Sequence, residues 1–294
     1  MAVLPGDLDL LAAPPIRRGA IVTSIRRHPT VAVGGGLLAL MLAIAVFAPY
    51  LGTVDPVALS PAHRLRWPSA EYWFGSDMLG RDIYSRTIYG ARVSLAVGLS
   101  VAALATGLGL LIGLVTGVNR WVDAVVMRVM DGLMAIPGVL IAIALMALTR
   151  ASLGNVVMAI TIAEVPRVTR LVRSVVLTLR EQPFVEAAVA SGTTQLLIMW
   201  RHIVPNTLAT LLVQGTYICA SAMITEAILS FIGAGTPPTV PSWGNIMAEG
   251  RAVFLVAYYI VLFPGIFLSL TVLAINLLGD GLRDAIDPRL ARRL

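Results

Sequence analysis

The sequence contains no lysine, so all 22 of its basic residues are arginines. A phosphate-binding loop of the GxxxxGK(S/T) type needs a lysine that reaches the phosphates, so the chain cannot carry that nucleotide site itself. Its single cysteine, Cys219, excludes an internal disulfide and a cysteine-based metal cluster. Three scattered histidines argue against a structural zinc site. Because no serine, histidine or carboxylate pattern resembles a catalytic group, we expect no metal site, no catalytic residue and no enzyme activity.

Charged residues are also scarce, at 13% of the chain, whereas hydrophobic residues make up 57%. A soluble domain has about 25% charged residues and carries its apolar residues in short periodic groups. The sequence therefore predicts an integral membrane protein embedded in a lipid bilayer. A net charge of +6 would suggest a nucleic-acid partner in a soluble protein. Here the arginine excess is better explained by membrane topology, and we expect no nucleic acid to bind.

Six apolar stretches predict six transmembrane helices. The first is too long for the apolar core of a cleaved signal peptide, so we interpret it as an uncleaved span. The fourth is the shortest, because Glu164 and Arg167 interrupt it. The stretches are residues 31–51, 93–118, 132–149, 153–168, 208–233 and 252–278.

These spans divide the chain into regions on the two sides of a membrane. The predicted regions are a cytoplasmic tail (1–30), the first span (31–51), a periplasmic insertion (52–92), a core with five spans (93–279) that includes a cytoplasmic segment (181–206), and a cytoplasmic C-terminal tail (280–294). This topology leaves fifteen arginines inside and seven outside, as the positive-inside rule requires. Five spans with the N-terminus outside give the same ratio, but that topology exports four arginines ahead of the first span.

Residues 181–206 form a patterned polar segment between two apolar regions, which we call the island. Pro183 suits the first turn of a helix, and Gly192 stands where a left-handed cap would end it. A second short helix, begun at Thr193 or Thr194, would carry the apolar residues that follow until Pro205 breaks the chain. Two short amphipathic helices joined by a glycine predict a surface to which another protein binds.

The island resembles the "EAA" loop of ABC importer permeases. The resemblance is carried by Glu186, Ala187 and Ala188, followed by the landmarks Gly192 and Pro205. Where the family has an isoleucine three residues before its proline, this chain has His202. The form RHIVPN is similar to the second permease subunit of the dipeptide, oligopeptide and nickel branch. Other segments similar to that branch are FGSDMLGRDIYSRTIYGARVSL, PRVTRLVR, ILSFIGAGTPPTVPSWGNIMAEGR and GDGLRDAIDPRL.

The resemblance implies an all-α, six-span permease of the type I ABC importer fold in the cell inner membrane. It also implies the partners: a homologous permease in a heterodimer, two ATP-binding subunits below, and a periplasmic or lipid-anchored substrate-binding protein. ATP and magnesium would be bound by the ATPase subunits. Within the island, Glu186, Ala187, Ala188, Gly192, His202 and Pro205 would form the coupling surface that docks on an ATPase.

Three features of the predicted spans lead to predictions about side chains and packing. Glu226 follows nineteen uncharged residues, so it either lines the translocation pathway or is a hydrogen-bonded structural carboxylate. Glu164 and Arg167 are three residues apart on one helix face, which predicts a structural ion pair. The four-residue spacing of Gly109, Gly113 and Gly117 predicts close contact with a neighbouring helix.

Outside the spans, Asp77, Arg81 and Asp82 either contact the binding protein or are satisfied within their own loop. Trp73 and Trp243 lie where aromatic belts are expected, which predicts that both anchor the chain at the membrane interface.

Peptides are the expected cargo, with nickel, glutathione or another small solute as alternatives, because the binding protein largely sets specificity in such systems. A secondary transporter or channel is a rival interpretation. It would need ionisable residues deep in the membrane, where Glu226 is the single candidate, and it leaves the island unexplained. An intramembrane enzyme is a second rival, which the missing catalytic residues disfavour.

Overall fold

The computed structural model describes residues 29–286, and the predicted tail residues 1–28 and 287–294 lie outside this range. The helices in chain order are α1 (Pro29–Phe47), α2 (Ile83–Val118), α3 (Arg120–Met134), α4 (Gly138–Leu148), α5 (Leu153–Arg180), α6 (Pro183–Ala190), α7 (Gln195–Ile198), α8 (Val204–Phe231), α9 (Trp243–Gly250) and α10 (Tyr259–Ile286). Turns of 3-10 helix occur at Ala48–Tyr50, Pro61–His63 and Arg251–Val253, and a π-helical turn, Met199–Ile203, joins α7 to α8. The predicted all-α class is confirmed.

The number of long apolar helices agrees approximately with the prediction of six spans. Four stretches of the described chain are long and apolar enough to cross a bilayer, namely Pro29–Tyr50, Ile83–Val118, Gln195–Phe231 and Tyr259–Ala285. The bent pair α3–α4 makes a fifth if its path counts as one crossing. The 28 residues of α5 extend about 42 Å, which is enough to cross. α5 is not one of the four apolar stretches, because its second half contains arginines.

The sequence predicts a short polar turn at residues 119–131, and this prediction is wrong, because these residues form most of α3. The side-chain oxygen of Asn119 accepts hydrogen bonds from the backbone N–H groups of Trp121 (3.0 Å) and Val122 (3.3 Å), which caps the helix. Pro137 predicts a kink in the span at 132–149, but the break that contains this proline turns the chain by 90°. The 11 residues of α4 extend only about 16 Å, too short to cross a bilayer alone.

Three other helix starts differ from the predicted boundaries. The sequence predicts a separate short helix near residues 82–92. These residues are instead the first part of α2, because Asp82 Oδ2 accepts from the Ser85 N–H at 2.8 Å and caps the long helix there. The sequence predicts a loop at residues 236–251 between two spans. This segment contains α9, whose N-cap residue Ser242 accepts from the Asn245 N–H at 3.1 Å. The last long helix begins at Tyr259 rather than at residue 252, because a 3-10 turn and an irregular segment precede it.

α2 and α5 pack side by side through three glycines, and the close contact predicted from their spacing is confirmed. A Cβ atom placed on Gly113 would lie 2.6 Å from the Val172 Cβ, so the valine fills the space that a side chain would need. The contacts advance together along both helices, so α2 and α5 run in the same direction. The pairs are Gly109 with Val168, Gly113 with Val172, and Gly117 with Val176.

α8 returns antiparallel to α2, because Gly98 lies against Met223 whereas Thr106 lies against Gly215. In the same way α1 runs antiparallel to α10. These directions bring the island, the C-terminal end of α2 and the start of α1 to one end of the bundle, the island end. Residues 51–82 and the segment around α9 lie at the opposite end, the insertion end.

Candidate functional site

The first helix of the island has the start and the end that the sequence predicts. Gln182 is the N-cap residue of α6 and Pro183 occupies its first position, where a missing N–H costs nothing. Gly192 has φ of +77°. Its N–H donates to Val189 O at 2.9 Å, and the Thr193 N–H donates to Ala188 O at 3.1 Å. This pair of bonds is a Schellman motif, which glycine favours because a Cβ disfavours the left-handed conformation.

The predicted break at Pro205 is wrong, because α7, the π-helical turn and α8 form one helical path over Gln195–Phe231. In a regular α-helix the proline ring would clash with the carbonyl four residues earlier. Here the Val204 N–H donates to Met199 O, five residues back, so the turn before Pro205 is wider and accommodates the ring. Thr194 is the N-cap residue of α7, as predicted, although its side chain makes no capping hydrogen bond.

Buried apolar side chains anchor the island to the bundle. Val185, Ile198 and Ile203 are buried in a core cluster that also contains residues of α5 and α8, such as Val176 and Leu211. Their burial fixes the position of both short helices relative to the long ones. The island is therefore a folded part of the bundle and not a flexible connection.

Other large apolar side chains of the island face outwards. Val189 is 60% exposed, Leu196 67% and Trp200 63%. Phe184 and Leu197 are also exposed. Neighbouring exposed apolar side chains of this size mark an interaction surface when they occur together on one segment.

The six residues predicted to couple to a partner all lie in this segment. Glu186, Ala187, Gly192 and Pro205 are exposed. Ala188 is half-buried against the core cluster. His202 is half-buried, and its ring lies 6.0 Å from the ring of Phe184. Coupling by these residues stays a prediction.

At the insertion end, charged residues are buried against one another. Asp77 Oδ2 lies 2.6 Å from Arg81 Nε and 2.6 Å from Arg86 Nη1. Arg86 also binds Glu249 of α9, with Nη1–Oε2 at 2.6 Å, and Arg81 contacts the same carboxylate. We call Asp77, Arg81, Arg86 and Glu249 the ion cluster. Asp82 in turn caps α2. These contacts favour the alternative in which Asp77, Arg81 and Asp82 are satisfied within the chain.

Glu226 is fully buried in α8, and its Oε1 accepts hydrogen bonds from Ser230 Oγ and Ser242 Oγ, both at 2.8 Å. Its other oxygen, Oε2, has no hydrogen-bond partner among the described residues, and a pathway role for Glu226 stays a prediction. The predicted ion pair between Glu164 and Arg167 is confirmed, with an N–O distance of 3.1 Å.

The interface role predicted for Trp243 is wrong, because its side chain is fully buried and its Nε1 donates to Thr87 O at 2.9 Å. A Cβ on Gly90 would lie 2.8 Å from the Trp243 ring, so a glycine on α2 makes room for the indole. Trp73 is 59% exposed, which suits the predicted belt position.

Sequence reasoning missed the buried anchors Val185 and Ile198 and two members of the ion cluster, Arg86 and Glu249. The anchors could not be separated from their exposed apolar neighbours, because periodicity alone does not say which face a partner covers. A signal for Arg86 was present, since an arginine next to a long apolar run needs a nearby carboxylate. Glu249 is 163 residues away from it in sequence.

Solved structures and curated proteins resemble this chain. An inward-facing structure of the MetNI methionine ABC transporter superposes with a TM-score of 0.56 over 70% of this chain and 98% of that chain, at 20% sequence identity, a level that shows the fold alone. The probable peptide ABC transporter permease protein y4tQ of Sinorhizobium fredii is 52% identical over 281 residues, 96% of each chain.

Two further relatives are similar over most of their length. The dipeptide transport system permease protein DppC of Alkalihalophilus pseudofirmus is 41% identical, over 90% of this chain and 88% of that protein. The glutathione transport system permease protein GsiD of Pectobacterium atrosepticum is 41% identical, over 90% and 89%. A family model described as "binding-protein-dependent transport system inner membrane component" matches residues 105–292. The chain belongs to this family of transport-system membrane components.

Proposed function

We propose that the chain is a permease subunit of an ATP-driven importer that carries di- or oligopeptides across the cell inner membrane. The observation that carries the proposal is the island, which is anchored in the bundle by Val185, Ile198 and Ile203 and exposes large apolar side chains beyond them. An anchored surface of this kind transmits force, because whatever binds it moves the helices to which it is fixed.

The partners follow from what the chain lacks and what it exposes. Without lysine the chain has no GxxxxGK(S/T) loop. The resemblance to ABC importer permeases implies that two ATPase subunits bind ATP and magnesium and supply the energy. The exposed carboxylate of Glu186 lies in the first turn of α6, where it suits the helix dipole. Closure of the ATPases moves the island, and the movement reaches α5 and α8 through the buried anchors. A homologous permease completes the pathway, and a binding protein delivers the substrate.

Orientation follows from the distribution of arginines. The island end lies in the cytoplasm, where the ATPases are, and the insertion end faces the outside and the binding protein. Peptides are the cargo best supported, since relatives are named for peptides and dipeptides. Glutathione, itself a tripeptide, is a second candidate because of the relative named for it.

The test compares two glycines with the same backbone conformation at opposite ends. Gly192 has φ of +77° and Gly52 has φ of +69°, and a Cβ on either would meet no atom within 4 Å. We expect Gly192→Asp to leave membrane insertion intact and to abolish peptide-stimulated ATPase activity and uptake in the reconstituted transporter. Gly52→Asp carries the same backbone cost and should leave both activities unchanged.

A charge reversal tests the same surface without altering the backbone. Glu186→Lys should uncouple uptake from ATP hydrolysis, whereas Glu71→Lys, a reversal at another exposed glutamate, should not. Coupling at the wild-type level in both Gly192→Asp and Glu186→Lys would refute the docking role. Peptide uptake by the chain alone in liposomes, without ATPase subunits, would favour a secondary transporter instead.

A further inference from the structure

Six polar residues form a continuous line along α8, beginning in its first turn. They recur at intervals of four, four, three, four and four residues, which keeps them within an arc of about 100° on one helix face. None of the six is buried within the described chain. We call them the polar stripe: Asn206, Thr210, Gln214, Tyr217, Ser221 and Thr225.

The stripe begins in the first turn of α8 and extends past the middle of this membrane-crossing helix. Tyr217 is the fourteenth of the 28 residues of α8 and is 53% exposed. Thr225 donates to the Ser221 carbonyl of its own helix at 2.9 Å. Across residues 29–286 the side chains of Gln214 and Tyr217 have no hydrogen-bond partner. Polar groups at this depth are stable only beside water or another polar group, because hydrocarbon offers no hydrogen bonds.

A second helix contributes to the same polar surface. A cavity of about 160 Å³ between α8 and α10 is lined by Tyr217, Ser221 and Thr225 together with Asn276 of α10. Asn276 is exposed although it lies inside a long apolar helix. Two helices thus present hydrogen-bonding side chains to the same space.

Another exposed side of α8 is apolar and serves as a comparison. Leu208 and Leu212 are 46% and 61% exposed and line a separate cleft of about 620 Å³ between α8 and its neighbours, whose walls are almost entirely apolar. Lipid chains suit that cleft and do not suit the polar stripe. One helix therefore has two exposed sides with different environments in the membrane.

We infer that the polar stripe and Asn276 line the water-filled path of the transporter and hydrogen-bond the backbone amides of the passing peptide. This inference rests on the proposed function. The six side chains of the stripe are uncharged donors and acceptors, and the carboxyl group of Glu164 lies beside Ser221. A peptide backbone likewise repeats uncharged N–H and C=O groups. Contacts of this kind do not depend on side chains, so they suit a path that passes peptides of varied sequence.

The single native cysteine makes the water-filled path directly measurable. In a Cys219→Ala background, one cysteine is placed at Gln214, Tyr217 or Ser221, and the full chain is assembled with its partner subunits in proteoliposomes. A water-soluble maleimide should label these positions about tenfold faster than Leu212→Cys, because the thiolate that reacts forms in water. Added tripeptide should slow labelling on the stripe and not at Leu212→Cys.

Labelling of the stripe as slow as that of Leu212→Cys would overturn the inference and indicate that a helix of the partner permease covers it. Fast labelling that tripeptide does not slow would overturn the contact with peptide. ATP-driven peptide uptake in the Cys219→Ala background is measured alongside. Uptake without stripe labelling would refute the inference and leave the proposed function standing, whereas absence of uptake in the wild-type complex would count against the proposed function.

A conservative variant gives a kinetic test that does not depend on labelling. Tyr217→Phe keeps the ring and removes the hydroxyl, so we expect the KM for peptide uptake to rise about fivefold, the value of one hydrogen bond, with kcat unchanged. A purely structural role for Tyr217 would leave KM as it is in the wild type, and that result would also overturn the inference.

Discussion

The two ends of the bundle differ in which side chains are buried and which are exposed. At the insertion end the ion cluster is buried or nearly so, with Arg86 and Asp77 each 1% exposed at the side chain. Trp243 and Tyr259 fill the space beside it and are fully buried. At the island the large apolar side chains are exposed, and none of the ion pairs within residues 29–286 involves a residue of 181–206.

With the proposed function, this difference separates a surface completed by the chain itself from one that an ATPase subunit completes. Buried charges need partners, and the insertion end supplies them from within residues 77–249, so its stability is a property of this chain. Exposed apolar side chains gain little until a partner covers them. A substitution at the insertion end should therefore change folding, whereas one at the island should change assembly.

The largest effect is expected at the ion cluster. Arg86→Met keeps the volume but leaves Asp77 buried with a single arginine, and removing one member of a buried ionic group costs about 3–5 kcal/mol. Thermal unfolding of the detergent-solubilised protein measures this loss.

The matched variant is Arg201→Met in the island, where the arginine is exposed. It should change the free energy of unfolding by no more than about 0.5 kcal/mol. If Arg86→Met and Arg201→Met lowered the free energy of unfolding equally, the two ends would not differ in their contribution to folding.

An intermediate effect is expected where α2 and α5 meet, because this contact holds the helix that leads into the island. Gly113→Ala places a Cβ 2.6 Å from the Val172 Cβ, and overpacking of this kind costs about 1–3 kcal/mol. The second substitution Val172→Gly removes that Cβ, so a double-mutant cycle measured by unfolding should show favourable coupling between the two positions.

Gly107→Ala is the control in the same helix, since a Cβ there meets no atom within 4 Å. It should be neutral or slightly stabilising, because alanine favours a helix more than glycine does. Destabilisation by Gly107→Ala equal to that by Gly113→Ala would point to helix propensity and not to the contact with α5.

The sequence predicted features that depend on local chemistry. The apolar runs predicted most of the long helices, and the left-handed cap at Gly192 followed from its place after a short helix. The close helix contact at Gly113 was predicted because glycines four residues apart share one helix face, whichever helix packs against it. Each of these conclusions needs only the residues within a few turns of one helix.

The features that could not be predicted depend on distant residues or on how a turn relaxes. Trp243 is buried because Gly90 leaves space and Thr87 offers a carbonyl, and both lie on α2, about 150 positions away. Pro205 stays in a helix because the π-helical turn before it widens, which no rule about proline alone foresees. The break at Pro137 was expected, but its 90° angle is set by how α3 and α4 pack on α5.

The smallest effect on folding is expected at the most exposed aromatic residue of the island. Trp200→Ala should change the free energy of unfolding by no more than about 0.5 kcal/mol, because the side chain is 63% exposed. The same variant should weaken binding of the ATPase subunit about 30-fold or more, since aromatic residues dominate the energy of protein interfaces. Trp73→Ala, at a tryptophan 59% exposed at the insertion end, should leave that affinity unchanged. Titration of the labelled ATPase into nanodiscs measures both, and equal affinities for the two variants would mean that the island does not hold the ATPase.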